Sequence, residues 1–227
     1  MFGISQYKDI LNLLKQEGMT FSKDWNNEDQ FNTVLLRHDI DFSVAKAHEL
    51  ALFEMKNDVY STFFFMLTSN MYNLLSEKNR YLVKEILEMG HKISLHFDPT
   101  AYNSIKPLAG EQRTFEETFG VELDIISIHR PGEFLRENNR NLLNLKHTYQ
   151  DQYFKKMTYI SDSGGKSVHK SVLDYLSNKK DILHLLLHPI WWTQETDSPT
   201  STLESWRNDN SEFIVSEIRK NCKTYTK

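Results

Sequence analysis

The 227-residue chain has a single cysteine, Cys222, close to its C-terminus, so neither an intrachain disulfide nor a cysteine-rich zinc site is open to it. A reducing compartment is the expectation. Basic residues are not in surplus: 27 Lys and Arg stand against 31 Asp and Glu, a formal charge of −4, which argues against a nucleic-acid partner. Long apolar runs are missing too. The most hydrophobic segments, 60–67 and 182–192, fall well short of the roughly 18 residues that a membrane span needs. The helical spacing of Phe2, Ile4, Tyr7, Ile10, Leu11 and Leu14 is interrupted by Lys8, Asp9, Lys15 and Glu17, which fits an amphipathic surface helix and not a signal peptide. The expected location is therefore cytoplasmic. No linker rich in Pro, Gly or Ser divides the chain, and with 39% hydrophobic and 26% charged residues it reads as one domain over 1–227. Two chemistries lack their signatures: 161–165 has no Gly spacing or Gly-Lys-Ser/Thr of a P-loop, and no Gly-x-Ser-x-Gly elbow occurs.

What is present is an alternation. Brief, continuously apolar runs at 34–36, 60–67, 93–95, 125–128, 159–160 and 182–187 predict buried strands. Helical patterns lie between them at 43–57, 76–89 and 106–119, with Ser43 and Ser76 as N-caps and Gly90 and Gly120 as left-handed stops. Such alternation predicts an α/β fold with a mainly parallel sheet, open or closed. Nearly every apolar run ends in reactive side chains: Arg37-His38-Asp39-Ile40-Asp41, Thr68-Ser69-Asn70, His96-Phe97-Asp98, His129-Arg130-Pro131, Ser161-Asp162-Ser163 and His188-Pro189. In parallel α/β folds the carboxyl ends of the strands share one face, where active sites are kept.

Asp39 and Asp41 are two apart at a strand end, so the period of two puts both carboxylates on one side. A cation on one and a general-base role for the other relieve their mutual repulsion, while the alternative is a turn that caps the helix near Ser43. His96 and Asp98 repeat the spacing with a donor pair that suits a zinc-like ion. His91, ahead of that strand, is expected to face solvent or to cap the preceding helix. Arg130 is placed to orient Asp39, to clamp a substrate carboxylate or phosphate, or simply to occupy a turn. His188, delivered by the apolar run Leu185-Leu186-Leu187 and followed by Pro189, is suited to pKa tuning by a carboxylate. His184 is expected as a satisfied core or helix-facing histidine. Trp191 and Trp192 follow, either as a stacking platform for a sugar ring or as core, and Arg37 is a second candidate clamp for a substrate diphosphate.

Taken in order, Arg37-His38-Asp39-Ile40-Asp41, the run 90–98 ending His96-Phe97-Asp98, His129-Arg130-Pro131-Gly132, the run 159–165 around Asp162, and Leu187-His188-Pro189 resemble the motifs of the polysaccharide deacetylase family (NodB-homology domain, carbohydrate esterase family four). The resemblance covers about 34–192. It implies a distorted barrel of about seven strand-helix units and metal-dependent removal of an N- or O-acyl group from a sugar. Residue by residue, it implies Asp39 as catalytic base, Asp41 and His96 as metal ligands, Arg130 as the arginine that orients the base, His188 as general acid and Asp162 as the carboxylate that tunes it.

One departure matters. The second metal histidine of the family pattern, four residues after the first, is Thr100 here, and the tryptophan usual near the fourth motif is missing around Ser167. The chain thus resembles a divergent branch, one associated with bacterial surface-polysaccharide pathways. Asp98 and His129 are the substitutes for the third ligand. The expected cofactor is a divalent ion, zinc first, and the expected substrate a small acylated sugar or polysaccharide precursor. Two rivals are a member that binds carbohydrate without hydrolysing it and a metal-free hydrolase of another C–N bond.

Overall fold

The computed structural model describes residues 2–26, 31–102, 105–137, 139–178 and 181–226. In chain order the elements are α1 (Ile4–Gln16), β1 (Thr20–Ser22), β2 (Thr33–Ile40), α2 (Val44–Lys56), β3 (Thr62–Phe65), α3 (Glu77–Glu88), β4 (Lys92–Phe97), α4 (Pro107–Phe119), β5 (Ile125–Ile128), α5 (Gly132–Glu137), β6 (Lys146–His147), α6 (Asp151–Phe154), β7 (Thr158–Ser161), α7 (His169–Ser177), β8 (Leu183–Leu186) and α8 (Pro199–Asn221). Among the described residues no helix is long and apolar enough to cross a membrane.

Every strand pair is parallel, and the order is β6-β5-β4-β3-β2-β8-β7. Read around a ring, this is the sequence order of β2 to β8 with one break between β6 and β7, which makes the fold an α/β distorted (β/α)7 barrel. Aromatic side chains bridge the break: the Phe154 and Tyr159 rings lie 4.8 Å apart, and Tyr149 and Tyr159 6.3 Å apart. Strand β1 is an addition that pairs with the first residues of β2, below the point where β3 joins it.

The helices form where the capping chemistry is. Ser43 Oγ accepts from the Lys46 N–H at 3.3 Å, Ser76 Oγ accepts from the Asn79 N–H at 3.4 Å, and α4 stops at Gly120 with φ 69°. The alternation of side chains along each strand then sorts the core. Outward residues such as Val34, Leu36 and Ile40 pack under the helices in two large apolar clusters. A third cluster of Trp25, Leu35, Phe64, Ile125, Tyr153, Met157 and Ile182 plugs the amino-terminal end of the barrel, where Trp25 Nε1 donates to Thr62 Oγ1 at 3.0 Å. With that end filled, the open space is left at the carboxyl ends of the strands.

One polar network lies outside the barrel, fully buried between β2 and α2. Glu54 accepts from the hydroxyls of Tyr7 and Ser61 and from His38 Nε2 at 2.7 Å, and His91 Nδ1 stands 3.6 Å from it. The expectation for His91 is corrected here: it is 1% exposed, with Nε2 donating to the Ala51 carbonyl at 3.0 Å. Burial opposes ionisation of Glu54, and the His38 charge overrides it, holding the carboxyl below its usual range. Because the folded pKa is depressed, the stability that Glu54 contributes is present at neutral pH and is lost as pH falls through the folded value. Removing one partner from such a network strands the others. Glu54→Ala is expected to cost about 3–5 kcal/mol in urea unfolding at pH 7, with a smaller difference from wild type in acid.

Candidate active site

The strand ends deliver their polar residues to one place. Asp39, Asp41, His96, His129, Arg130, Tyr149, Ser163, His188, Trp191 and Leu203 line a cavity of about 520 Å³ at the carboxyl face. On β2 the inward positions are Arg37 and Asp39, continued by Asp41 one residue beyond the strand, with His38 and Ile40 facing the helices. On β4, β5 and β8 the same parity brings in His96, His129 and His188.

Asp41 Oδ1, His96 Nε2 and His129 Nδ1 form a triangle with edges of 3.3, 3.3 and 3.2 Å. A tetrahedral ion bonded to N and O ligands at about 2.0–2.1 Å sets its ligands about 3.3–3.4 Å apart. Asp41 Oδ1 is buried without a hydrogen-bond donor, and two imidazole nitrogens facing one another and a carboxylate are a donor set that asks for a cation. These residues therefore fit a divalent metal ion. Burial opposes ionisation of Asp41, but the two histidines beside it hold its carboxyl well below the usual range.

Of the two sequence candidates for the third ligand, His129 joins the triangle and Asp98 does not. Strand β4 ends at Phe97, and Asp98 turns away to cap the following 3₁₀ turn, its Oδ1 accepting from the Thr100 N–H at 2.8 Å and from Thr100 Oγ1 at 2.7 Å. Asp98 as a metal ligand is thereby corrected.

Asp39 is buried on the floor of the cavity. Its Oδ2 accepts from Arg37 Nη2 at 2.9 Å and from Ser127 Oγ at 3.0 Å, while Oδ1 has no partner. Burial works against its charge and the Arg37 guanidinium works for it, leaving the carboxyl below its usual pKa. This reverses two sequence expectations. Arg37 is not a substrate clamp: it is 0% exposed, with Nη2 also donating to Tyr149 Oη at 3.0 Å and Nη1 lying 3.3 Å from His184 Nε2. It is Arg37, not Arg130, that orients Asp39, because it shares the inward parity of the same strand. His184 is the core histidine expected, donating from Nδ1 to the Tyr153 carbonyl at 3.0 Å, and burial pushes its pKa down to about 3.

His188 Nδ1 bonds Asp162 Oδ1 at 2.5 Å, and Asp162 Oδ2 accepts from the His188 N–H at 2.9 Å, so ring and backbone are both fixed. Nε2 is left toward the cavity, 3.8 Å from Asp41 Oδ2. The same Asp162 Oδ2 accepts from Trp192 Nε1 at 2.7 Å. Trp192 is thus a core residue that holds Asp162, packed 5.7 Å from Tyr7, and the stacking platform expected of it is corrected. Trp191 borders the cavity but is only 5% exposed, which leaves no ring face for a sugar to stack on. The sequence offered no signal for Ser127 or Tyr149 beyond strand parity, and both serve the Arg37–Asp39 pair.

No family model matches the chain, and no curated protein matches it. Among similar solved structures are a family 4 carbohydrate esterase, a chitin deacetylase and a CE4 family pseudoenzyme. A Streptomyces lividans family 4 carbohydrate esterase in complex with acetate aligns at 14% identity over 79% of this chain and 85% of its own, with a TM-score of 0.47. The chitin deacetylase from Colletotrichum lindemuthianum aligns at 16% identity over 80% and 84%, with a TM-score of 0.45. A CE4 family pseudoenzyme from Bacillus anthracis aligns at 15% identity over 79% of this chain, which spans 60% of the pseudoenzyme's length, with a TM-score of 0.43.

Burial alone would lower the His188 pKa, but the Asp162 carboxylate, with Asp41 and Asp39 behind it, pushes it up to about 9. In metal-free protein an NMR titration should find this value in the wild type and a return toward the ordinary 6.5 or below in Asp162→Asn. The folded value lies above the unfolded one, so the pair's contribution to stability is complete below about pH 6.5 and is lost as pH rises through about 9. Urea melts of Asp162→Asn should lose that alkaline slope.

Proposed function

We propose that this protein is a metal-dependent hydrolase that removes an acyl group, acetyl first, from a nitrogen or oxygen of a sugar or polysaccharide precursor. The observation that carries it is the Asp41–His96–His129 triangle standing on a cavity floor between an ionised Asp39 and a cationic His188. The ordered motifs that resemble polysaccharide deacetylases support the choice of substrate, and a cavity of about 520 Å³ has room for a sugar ring.

A divalent ion held by Asp41, His96 and His129, with zinc best suited to two imidazoles and a carboxylate, would polarise the acyl carbonyl and acidify a water. The protein's own groups do the rest. Asp39 accepts the proton of the attacking water on Oδ1, the oxygen that no protein donor occupies, while Arg37 and Ser127 keep Oδ2 fixed. His188 gives the proton on Nε2 to the departing amine or hydroxyl, and Asp162 keeps that nitrogen turned to the cavity by holding Nδ1. Water adds to the carbonyl carbon, the C–N or C–O bond breaks, and the acid and the free sugar leave. Thr100 had been the reason to weigh a non-hydrolysing member, and with His129 in the triangle the count of three protein ligands is restored, which supports catalysis.

The roles separate by experiment. Asp41→Ala and His129→Ala are expected to lose metal in elemental analysis, whereas Asp39→Asn and Asp98→Ala retain it. Acetate release from N-acetylated amino sugars should fall by about two to four orders of magnitude in Asp39→Asn and His188→Ala with unchanged melting, as loss of a general base or acid predicts. Wild-type protein that takes up no divalent ion, or His188→Ala that unfolds while keeping normal turnover per folded molecule, would sink the assignment.

A further inference from the structure

We propose that Arg130 is an anion anchor in the cavity wall, and that the acylated sugar bound there carries a phosphate or carboxylate group next to its ring. The acyl chemistry of that substrate rests on the hydrolase function above, while the anion site rests on Arg130 alone.

Arg130 directly follows the metal-triangle residue His129 and lines the same cavity as Asp39, Asp41 and His188. The task that would have occupied it, holding the base, is done by Arg37 and Ser127 on Asp39 Oδ2. Among the described residues Arg130 makes no hydrogen bond or ion pair, and it is the sole lysine or arginine that lines the cavity. Arg37, the other guanidinium nearby, is sealed beneath the floor with its partners around it.

Each acidic group at the floor has its own counter-charge: Asp39 has Arg37, Asp162 has His188, and Asp41 has the two histidines. Arg130 is exposed at the cavity rim, so its charge faces solvent and whatever enters the cavity. Its backbone sits at φ 49° ahead of Pro131, a left-handed conformation that side chains with a Cβ rarely adopt and that clusters at ligand-binding positions. The lining also includes Ser163, Gly164, Phe42, Trp191, Pro199 and Leu203, and its carboxylates, Asp39 and Asp41, have partners of their own. A planar fork of donors matches a phosphate or a carboxylate, and both are common on sugars.

The test is calorimetric titration of metal-loaded full-length protein with N-acetylglucosamine, its 1-phosphate and an N-acetylated hexosaminuronate. At least one anionic sugar should bind about ten- to a hundredfold more tightly than the neutral one, the gain expected of a charge-assisted hydrogen-bonded pair. Whichever anion is preferred identifies the group. Arg130→Gln should reduce the preference to within about twofold, and Arg130→Lys, which keeps the charge without the fork, should retain part of it. Metal-depleted wild type should keep the preference, which separates the guanidinium from an anion sitting on the metal. Equal affinity for all three sugars, no binding of any, or a preference untouched by Arg130→Gln overturns the proposal. Acetate release measured on the same sugars distinguishes the two conclusions. An Arg130-dependent preference without release removes the hydrolase and leaves the anchor, and release without any anion preference does the reverse.

Discussion

The guanidinium of Arg37 is sealed inside the barrel, where an ion costs several kcal/mol unless partners surround it. Its partners come from three places around the ring: Asp39 from its own strand β2, Tyr149 just past β6, and His184 from β8. Strand β6 lies at one side of the break in the sheet, while β2 and β8 lie beyond β7 on the other. One planar group therefore ties together walls that no strand ladder joins, and it does so while fixing one oxygen of Asp39. Lysine would offer one nitrogen where Arg37 uses two, Nη1 toward His184 and Nη2 toward Asp39 and Tyr149. The ring of Tyr149 lies 4.7 Å from the guanidinium carbon, adding a cation–π contact to the same assembly.

Strand β2 does a second job on its other face. His38, between Arg37 and Asp39, points away from the cavity and donates from Nδ1 to the Leu187 carbonyl at 2.7 Å, while the Leu187 N–H donates to the Arg37 carbonyl at 3.0 Å. The residue ahead of His188 is thus held from both of its peptide groups by the segment that carries Asp39. Glu54 fixes His38 from behind, and Asp162 fixes His188 from the far side. Asp39 and His188 are thus linked by a chain of hydrogen bonds through the backbone, which joins the buried network outside the barrel to the cavity inside it.

How much of this is legible in the sequence depends on whether strand parity was carried far enough. The strand ends, the pairing of Asp39 with Asp41, and the delivery of His96, His129 and His188 to one face all follow from a period of two and a parallel sheet. The same period already places Arg37 beside Asp39. A strand-end reading of Arg37 hides this pairing, and the resemblance points to Arg130 for the contact with Asp39 that Arg37 makes. Asp98 has the parity of His96 but lies past the last paired residue of β4, where Asp-Pro-x begins a turn and the carboxylate is consumed as a cap. Trp192 could not be told from an exposed platform because nothing in the sequence says that its indole N–H meets Asp162. Strands β1 and β6, three and two residues long, are too short for any periodic signal.

The electrostatics of the cavity floor follow from those pairings. Buried carboxylates ordinarily raise their pKa and shed their charge, yet Asp39 and Asp41 are both held below the usual range, Asp39 chiefly by the Arg37 guanidinium and Asp41 by its contacts with His129 and His96. The two are held there by different means. Asp39 relies first on the Arg37 guanidinium, which keeps its proton, with His96 and His188 adding to the same effect. Asp41 relies on imidazoles, which are good partners for a carboxylate only while protonated and good ligands for a cation only when neutral. The Asp41 side of the floor thus rests on groups whose charge can change, whereas the Asp39 side rests chiefly on one whose charge does not. That asymmetry arises because Arg37 stands inward on β2 beside Asp39, while His96 on β4 and His129 just past β5 stand inward beside Asp41.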